Sequence, residues 1–503
     1  MKSFIFPTLR VVTLLFCIIF CTESQAQTTS IRISAAEGSG KPIPIFPPVE
    51  GRFLRAAQWI DTLDAQGQMV IDHDMEVPGL FMFHYEYKYY RLYVRPGDTF
   101  NVVIDKNQAD RPLTVLSGPF SEAQEAMNRL ELGDAQQNGD QYYSLNPVFE
   151  HTRKQVLEEV ERQLAPFNEL HRSQQMDVDF YETVQLLVKN HYAEILCHAL
   201  TNEISSLVYH PDSSRYKPER IDQARKDWES IFALADYRDI RSTRVSTYEG
   251  YHRMVQDFYV ASFFPKSEGR YLPPVKRTMD YYFQSRYWLM KEHHQVGPLQ
   301  EYLLASRIHF INDFKNFYDF IPELYADFTE RYPNSIYIPY LKPGVDEVIA
   351  FHRKIQREKA RDYIFVGNSE RIADFDGLMM QHFSDQTVYV DLWASWCVPC
   401  KEEFQFSDQL HQFVASRGIS VLYISIDKDH DEKQWEDMIT YYDLKGHHIR
   451  ATASLLTDLH KRFGNAIPRY ILVKNGKILL DDMMRPSAGK ELYEQIDKLV
   501  SID

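Results

Sequence analysis

Three hydrophobic rhythms follow one another along the 503 residues. From Thr28 to Leu116 the period is two. "FMFHYEYKYYRLYV" (Phe81 to Val94) sets aromatics at alternate positions, the pattern of a half-buried strand. It runs into the turn Pro96-Gly97-Asp98 and a further short strand, "TFNVVID". "WIDTLDAQGQMVID" reads as two strands joined around Gln66-Gly67, and such short strands with regular turns predict a small β-sandwich over 28–116. Over 117–364 the spacing changes to three and four: Val156, Val160, Leu164 and Phe167 mark one face of a helix. "YETVQLLVKNHYAEILCHALTNEI" is more apolar and predicts a deeper helix, and another ends near Tyr332-Pro333-Asn334-Ser335. No motif repeats at a fixed period, so a solenoid has no support. Over 365–503, the β-branched runs "QTVYVDLWA" and "ISVLYISID" alternate with helical stretches, and "RYILVKNGKILLD" predicts a hairpin at Asn475-Gly476. The fold class expected is therefore multidomain: a β-sandwich-like domain, a central all-α domain and a C-terminal α/β domain.

The first residues follow a different logic. Lys2 and Arg10 precede an apolar stretch from Val11 to Cys21, and Ser24-Gln25-Ala26 places small residues where a signal peptidase cuts. A signal peptide over 1–26 is expected, and with it an exported, soluble chain. No second apolar run approaches the roughly 18 residues of a membrane helix. Phe16 and Phe20, not small residues, precede Cys17 and Cys21, and membrane association through a lipid anchor is left open.

Composition narrows the partners. A chain of this length exceeds one core, so two or three domains are expected. Hydrophobic content of 44% and charged content of 25% are those of a globular protein, and 32 Tyr with 31 Phe imply large buried surfaces. A net charge of −15 without a basic run makes nucleic acid and anionic membrane surfaces poor candidate partners. Of five cysteines, Cys17 and Cys21 leave with the signal, and Cys197, Cys397 and Cys400 are too few for a disulfide scaffold.

Cys397-Val398-Pro399-Cys400 follows a predicted strand and opens a predicted helix. Unpaired N–H groups and the positive end of the helix dipole stabilise a thiolate there. Cys397 is then the attacking thiol, and Cys400, one turn in, resolves the mixed disulfide. Three other readings stand beside this one. A structural disulfide closes too short a loop to stabilise much, and zinc needs two more ligands with no second C-x-x-C or H-x₃₋₅-H nearby. Copper(I) suits two thiolates and an imidazole from His447-His448, although a surface loop after Gly446 explains those histidines more simply. Asp391 is an acid in an otherwise apolar run and is a candidate for function. Cys197, within "AEILCHAL", reads as a buried inert thiol. Lys401, Glu402 and Glu403 read as a solvated helix face, with Lys401 able to tune the thiolate modestly.

"VDLWASWCVPCKEEF" (Val390 to Phe404) resembles the active-site stretch of the thioredoxin superfamily, and most closely the TlpA/ResA-like periplasmic thiol–disulfide oxidoreductases. The likeness runs from Phe365 to Asp503 and includes "YISIDKDHDEKQWEDMI", "AIPRYILVKNGKI" and a helical insertion between them. The resemblance implies that Pro468 is a cis-proline beside the disulfide, that Ile467 pairs with substrate backbone and that Trp396 shields the sulfurs. It also implies that Asp391 is the buried carboxylate that relays a proton for Cys400. Three positions depart from the pattern: Tyr423 stands for a lysine that pairs the buried acid, Gln405 for a proline that kinks the first helix, and Arg469 for a small residue, where it would steer acidic substrates. "VRPGD" and the helical stretch after it are similar to N-terminal extensions of some TlpA-like proteins.

The function implied is reduction of disulfides in exported proteins, with electrons from a membrane thiol-transfer donor and no metal, nucleotide or flavin cofactor. The alternative is a binding or scaffold protein of the cell envelope whose thioredoxin-like part anchors or regulates a complex.

Overall fold

Eight of the first ten strands form two four-stranded sheets that turn their apolar sides to one another, and the other two pair separately. The computed structural model describes residues 26–35, 38–105, 107–108, 111–145, 147–208, 218–261, 279–357, 363–367 and 371–501. The expected signal peptide up to residue 25, with Cys17 and Cys21, lies outside them. The strands are β1 (Gln27–Ala35), β2 (Pro42–Phe46), β3 (Pro48–Val49), β4 (Arg52–Phe53), β5 (Trp59–Thr62), β6 (Gln68–Met75), β7 (Gly79–Tyr85), β8 (Lys88–Val94), β9 (Thr99–Ile104) and β10 (Leu113–Ser117). One sheet has the order β10-β9-β1-β6 and the other β5-β2-β7-β8. Ile31, Ile33 and Ile71 of the first share a core with Ile45, Phe83 and Leu92 of the second.

One sequence expectation changes here. Phe81 to Val94 is a hairpin rather than one strand, with Tyr85 opposite Lys88 and the turn residues Glu86 and Tyr87 at φ 48° and 67°. Both arms of a hairpin keep the period of two, and this turn lacks the Gly, Asn or Asp that would have marked it. The two strands expected around Gln66-Gly67 are both present, as β5 and β6, in different sheets. β5 pairs with β2 in one sheet, and β6 pairs with β1 in the other.

β8 is an edge strand, and the helix Ser121–Asn128 covers that edge with side-chain amides. Gln124 accepts from Tyr93 N at 2.9 Å and donates to Tyr93 O at 2.7 Å, and Asn128 does the same for Arg91 at 2.9 and 2.7 Å. A spacing of four along the helix meets a spacing of two along the strand, so the amides stand in for a further strand. Gln124→Ala strips both partners from a buried backbone unit. It is expected to cost about 2–4 kcal/mol of stability in urea unfolding, about 1–3 for each orphaned group less some relaxation.

From Ser121 to Arg357 the described residues form helices and turns only. The chain divides into two compact units inside this stretch: residues up to Ala199 with Arg241–Tyr248, and Leu200–Ile240 with Glu249–Asp503.

The second unit ends in a six-stranded sheet of order β11-β14-β13-β12-β15-β16, formed by β11 (Tyr363–Phe365), β12 (Thr387–Trp393), β13 (Ser420–Ser425), β14 (Gly446–Arg450), β15 (Arg469–Lys474) and β16 (Lys477–Leu480). β12, β13, β14 and β11 run parallel, while β15 is antiparallel to β12 and forms the expected hairpin with β16. Its two faces differ in chemistry. Val388, Val390, Leu392, Leu422, Ile424, Ile471 and Val473 make an aliphatic core on one side. On the other, register aligns Tyr470, Asp391, Tyr423 and His448 in one row across four strands. All four are buried.

The helix after β12 is broken despite Gln405. Val398–Glu403 gives way to a 3₁₀ turn, Phe404–Phe406, before Ser407–Ala415 resumes. The expectation of an unkinked helix fails because Phe404 is drawn inward, against Trp393 and Tyr442 at ring distances of 5.1 and 5.2 Å.

Candidate active site

β12 carries the chain to the sulfur pair. Past Trp393 it turns through Ala394–Cys397, where Cys397 N donates to Ala394 O at 3.0 Å. Cys397 is the N-cap of Val398–Glu403: its backbone is extended, its Sγ accepts from Cys400 N at 3.2 Å, and Pro399 fills the first turn, where no N–H is required. Cys397 and Cys400 form a disulfide with Cα atoms 5.3 Å apart. Cys400 is fully buried and Cys397 4% exposed, whereas Trp396 beside them is 50% exposed. An N-cap sulfur is where a thiolate gains most from the helix terminus once the disulfide is reduced.

The other residues singled out in the sequence converge from neighbouring elements. The Ile467-Pro468 bond is cis, and because Arg469 pairs with Leu392, it lies at the end of β12 from which the cysteine loop departs. Ile467 is half-buried against the aliphatic core. Arg469 donates to Asp481 O at 3.1 Å and lies 3.5 Å from Asp482, so its charge is already matched within the chain.

Asp391 is buried in mid-strand with Oδ1 unpartnered. Burial first, and the carboxylate of Glu403 second, push its carboxyl well above the usual range. Tyr423 stands beside it on β13, where a lysine was the alternative, and bonds His411 at 2.7 Å. Burial raises the phenols of Tyr389, Tyr423 and Tyr470, with Asp391 adding to each.

Two sequence expectations are corrected. Of Lys401, Glu402 and Glu403, Glu402 alone is exposed. Glu403 turns inward to accept from Ser487 N and Oγ at 2.9 and 3.0 Å. Lys401 is 2% exposed, and burial pushes its ammonium down to about 7, against the pull of Asp427. His447 and His448 lie in β14 rather than a surface loop. His448 is buried, stacks on Tyr423 at 5.0 Å and bonds Leu444 O at 2.7 Å. Cys197 is buried, as expected, and burial raises its thiol.

Ser395 and Asp427 went unnoticed in the sequence. Ser395 donates from N and Oγ to the buried Asp427 at 2.8 and 2.7 Å, which fixes the loop one residue before Trp396. The signal available was weak: an aspartate closing the predicted run "ISVLYISID". Among the described residues, no group of three or more His, Cys, Asp or Glu is placed to hold a metal. Among them also, no helix is long and apolar enough to cross a membrane.

Residues 373–482 match the Redoxin family. The thiol-disulfide oxidoreductase ResA of Bacillus thuringiensis subsp. konkukian (strain 97-27) is 22% identical over 132 residues, 25% of this chain and 70% of that protein. Among solved structures, the thioredoxin domain of a thiol-disulfide oxidoreductase from Bacteroides vulgatus is 22% identical and covers 24% of this chain and 84% of that one, with a TM-score of 0.22. A thioredoxin-like protein from Bacteroides caccae is 13% identical, covering 61% of this chain and 94% of that one, with a TM-score of 0.19. Residues 373–482 are therefore a Redoxin-family domain, a thioredoxin-like thiol–disulfide oxidoreductase similar to ResA, carried by a chain that extends far beyond it.

Proposed function

We propose that the chain is an exported, periplasmic disulfide reductase built from a β-sandwich-like domain (28–116), a helical domain (117–364) and a thioredoxin-like domain (365–503). The observation that carries the redox reading is the cysteine pair at the start of a helix, with the outer sulfur as N-cap and a buried carboxyl on the strand before it. Export is supported by the charged, then apolar, then small-residue pattern of the first 26 residues.

In the reduced enzyme, the Cys397 thiolate attacks one sulfur of a substrate disulfide and expels the other as a thiolate. Cys400 then attacks Cys397 Sγ, releasing the second substrate thiolate and leaving the Cys397–Cys400 disulfide. Two electrons pass to the substrate, and a dithiol donor, membrane-borne in this reading, restores the pair. Asp391 takes the proton from Cys400 as it becomes the nucleophile. Trp396, Ile467, Pro468 and Arg469 line the side on which the substrate chain lies.

Equilibration of the mature protein with defined thiol–disulfide buffers tests the direction. A potential near the thioredoxin value of about −270 mV is expected. One near the value of about −120 mV for the oxidant DsbA would make the protein a disulfide donor and overturn the reductase reading.

A further inference from the structure

Lys401 follows the resolving cysteine, and four acceptors surround its ammonium. Nζ lies 2.9 Å from Ser395 O, 2.8 Å from Phe314 O, 3.0 Å from Lys315 O and 3.1 Å from Asn316 Oδ1. Three of the four belong to the turn that ends the helix Pro298–Asp313, outside the Redoxin match. An ammonium has three protons to share among them, whereas a neutral amine has two.

The turn is shaped to receive a cation. Phe314 is the C-cap of its helix, where unpaired carbonyls carry partial negative charge. Lys315 and Phe317 adopt left-handed backbone at φ 52° and 51°, a conformation that non-glycine residues hold only where their surroundings fix it. Those surroundings are present. The Phe317 ring stacks on Phe351 at 4.5 Å and meets Tyr441 at 5.0 Å, His352 bonds Phe317 O at 2.7 Å, and Lys315 pairs with Glu347.

The other end of the contact is the cysteine loop. Ser395 donates from its N–H and hydroxyl to Asp427 and accepts from Lys401 at its carbonyl, so every polar group it has is held between a buried carboxyl and a buried ammonium. Cys397 follows two residues later. The charged groups facing Lys401 are Asp427 from beyond β13 and Lys315 from the turn. Glu402, next to it on its own helix, faces Asp313.

We propose that Lys401 is a positioning residue for Cys397: with Asp427 it clamps Ser395, and through the turn Phe314–Asn316 it makes the helical stretch a working part of the redox site. The inference rests on the thiol–disulfide reading given above. A cation held one residue from the dithiol also favours the thiolate that attacks.

The test is the pH dependence of iodoacetamide alkylation at Cys397 in the reduced full-length protein, for wild type, Lys401→Met and Asn316→Ala. Loss of the ammonium is expected to move the midpoint up by about one pH unit, which is a tenfold loss of thiolate on the acid side. Asn316→Ala is expected to move it the same way by less, although the residue lies outside the Redoxin domain. A merely structural lysine would lower the melting temperature and leave the midpoint in place. Folded variants whose profiles coincide with wild type overturn the inference, and if Lys401→Met does not fold, Asn316→Ala alone decides. Wild-type protein whose reduced pair fails to exchange with oxidised glutathione overturns the redox reading and this inference together. Coinciding profiles in a wild type that does exchange overturn the inference alone.

Discussion

Cys397→Ser protein is expected to show no turnover of a disulfide above the uncatalysed rate, and Cys400→Ser protein to stop halfway, as a mixed disulfide. The asymmetry follows from position. Cys397 is the N-cap sulfur and Cys400 is fully buried one turn further in, so the outer sulfur can meet a substrate and the inner one can meet only its neighbour. Serine at 397 leaves no nucleophile at the helix terminus, whereas serine at 400 leaves the first attack intact and removes the group that ends it. Neither change is expected to unfold the chain: a loop of four residues contributes about 2 kcal/mol in the chain-entropy account. Turnover of a small disulfide with a dithiol reductant, read beside mass spectrometry of trapped adducts, checks both halves. Adducts on Cys397→Ser rather than Cys400→Ser would reverse the roles. Full turnover in the absence of both thiols would remove the enzyme reading and favour a binding protein.

The parts of this site that were legible in the sequence are those written in adjacent residues. Cys397 and Cys400 declare themselves by spacing, the hairpin β15–β16 by Asn475-Gly476, and Asp391 by being an acid among Val388, Val390 and Leu392. What stayed hidden depends on partners far along the chain. Lys401 reads as solvated because its own helix, Val398–Glu403, has six residues and several charges; its acceptors come from Phe314, Lys315 and Asn316. Glu403 is buried by Ser487 and His448 by Tyr423 across the sheet, and neither pairing leaves a mark on local periodicity. The hairpin β7–β8 was missed for the opposite reason. Its two arms continue one alternation, and Glu86-Tyr87 carries none of the usual turn residues.

Asp391→Asn is expected to make the protein more stable and a poorer catalyst at once. The carboxyl is buried with Oδ1 unpartnered, and the hydroxyls of Tyr389 and Tyr470, on the same face, are also unpartnered. Burial and Glu403 raise its folded-state pKa, so between the unfolded pKa of about 3.9 and the folded value the native state binds more protons than the unfolded chain. Stability from this group therefore falls as pH rises through that window, and the full penalty is carried above it. Asparagine does not titrate. The variant should match wild type near pH 4 and gain on it as pH rises, by about 1–3 kcal/mol at the alkaline end, in urea unfolding of the oxidised protein. Kinetics should move the other way. If Asp391 accepts the Cys400 proton, its loss slows resolution by on the order of 10²-fold while first attack by Cys397 is spared, so mixed disulfide accumulates in single-turnover experiments. On the proposed mechanism, the acid in a row with Tyr470, Tyr423 and His448 lowers the stability of the fold and serves the exchange. A variant that gains stability and loses no speed would separate the two halves, leaving Asp391 a burden on the fold with no part in the exchange.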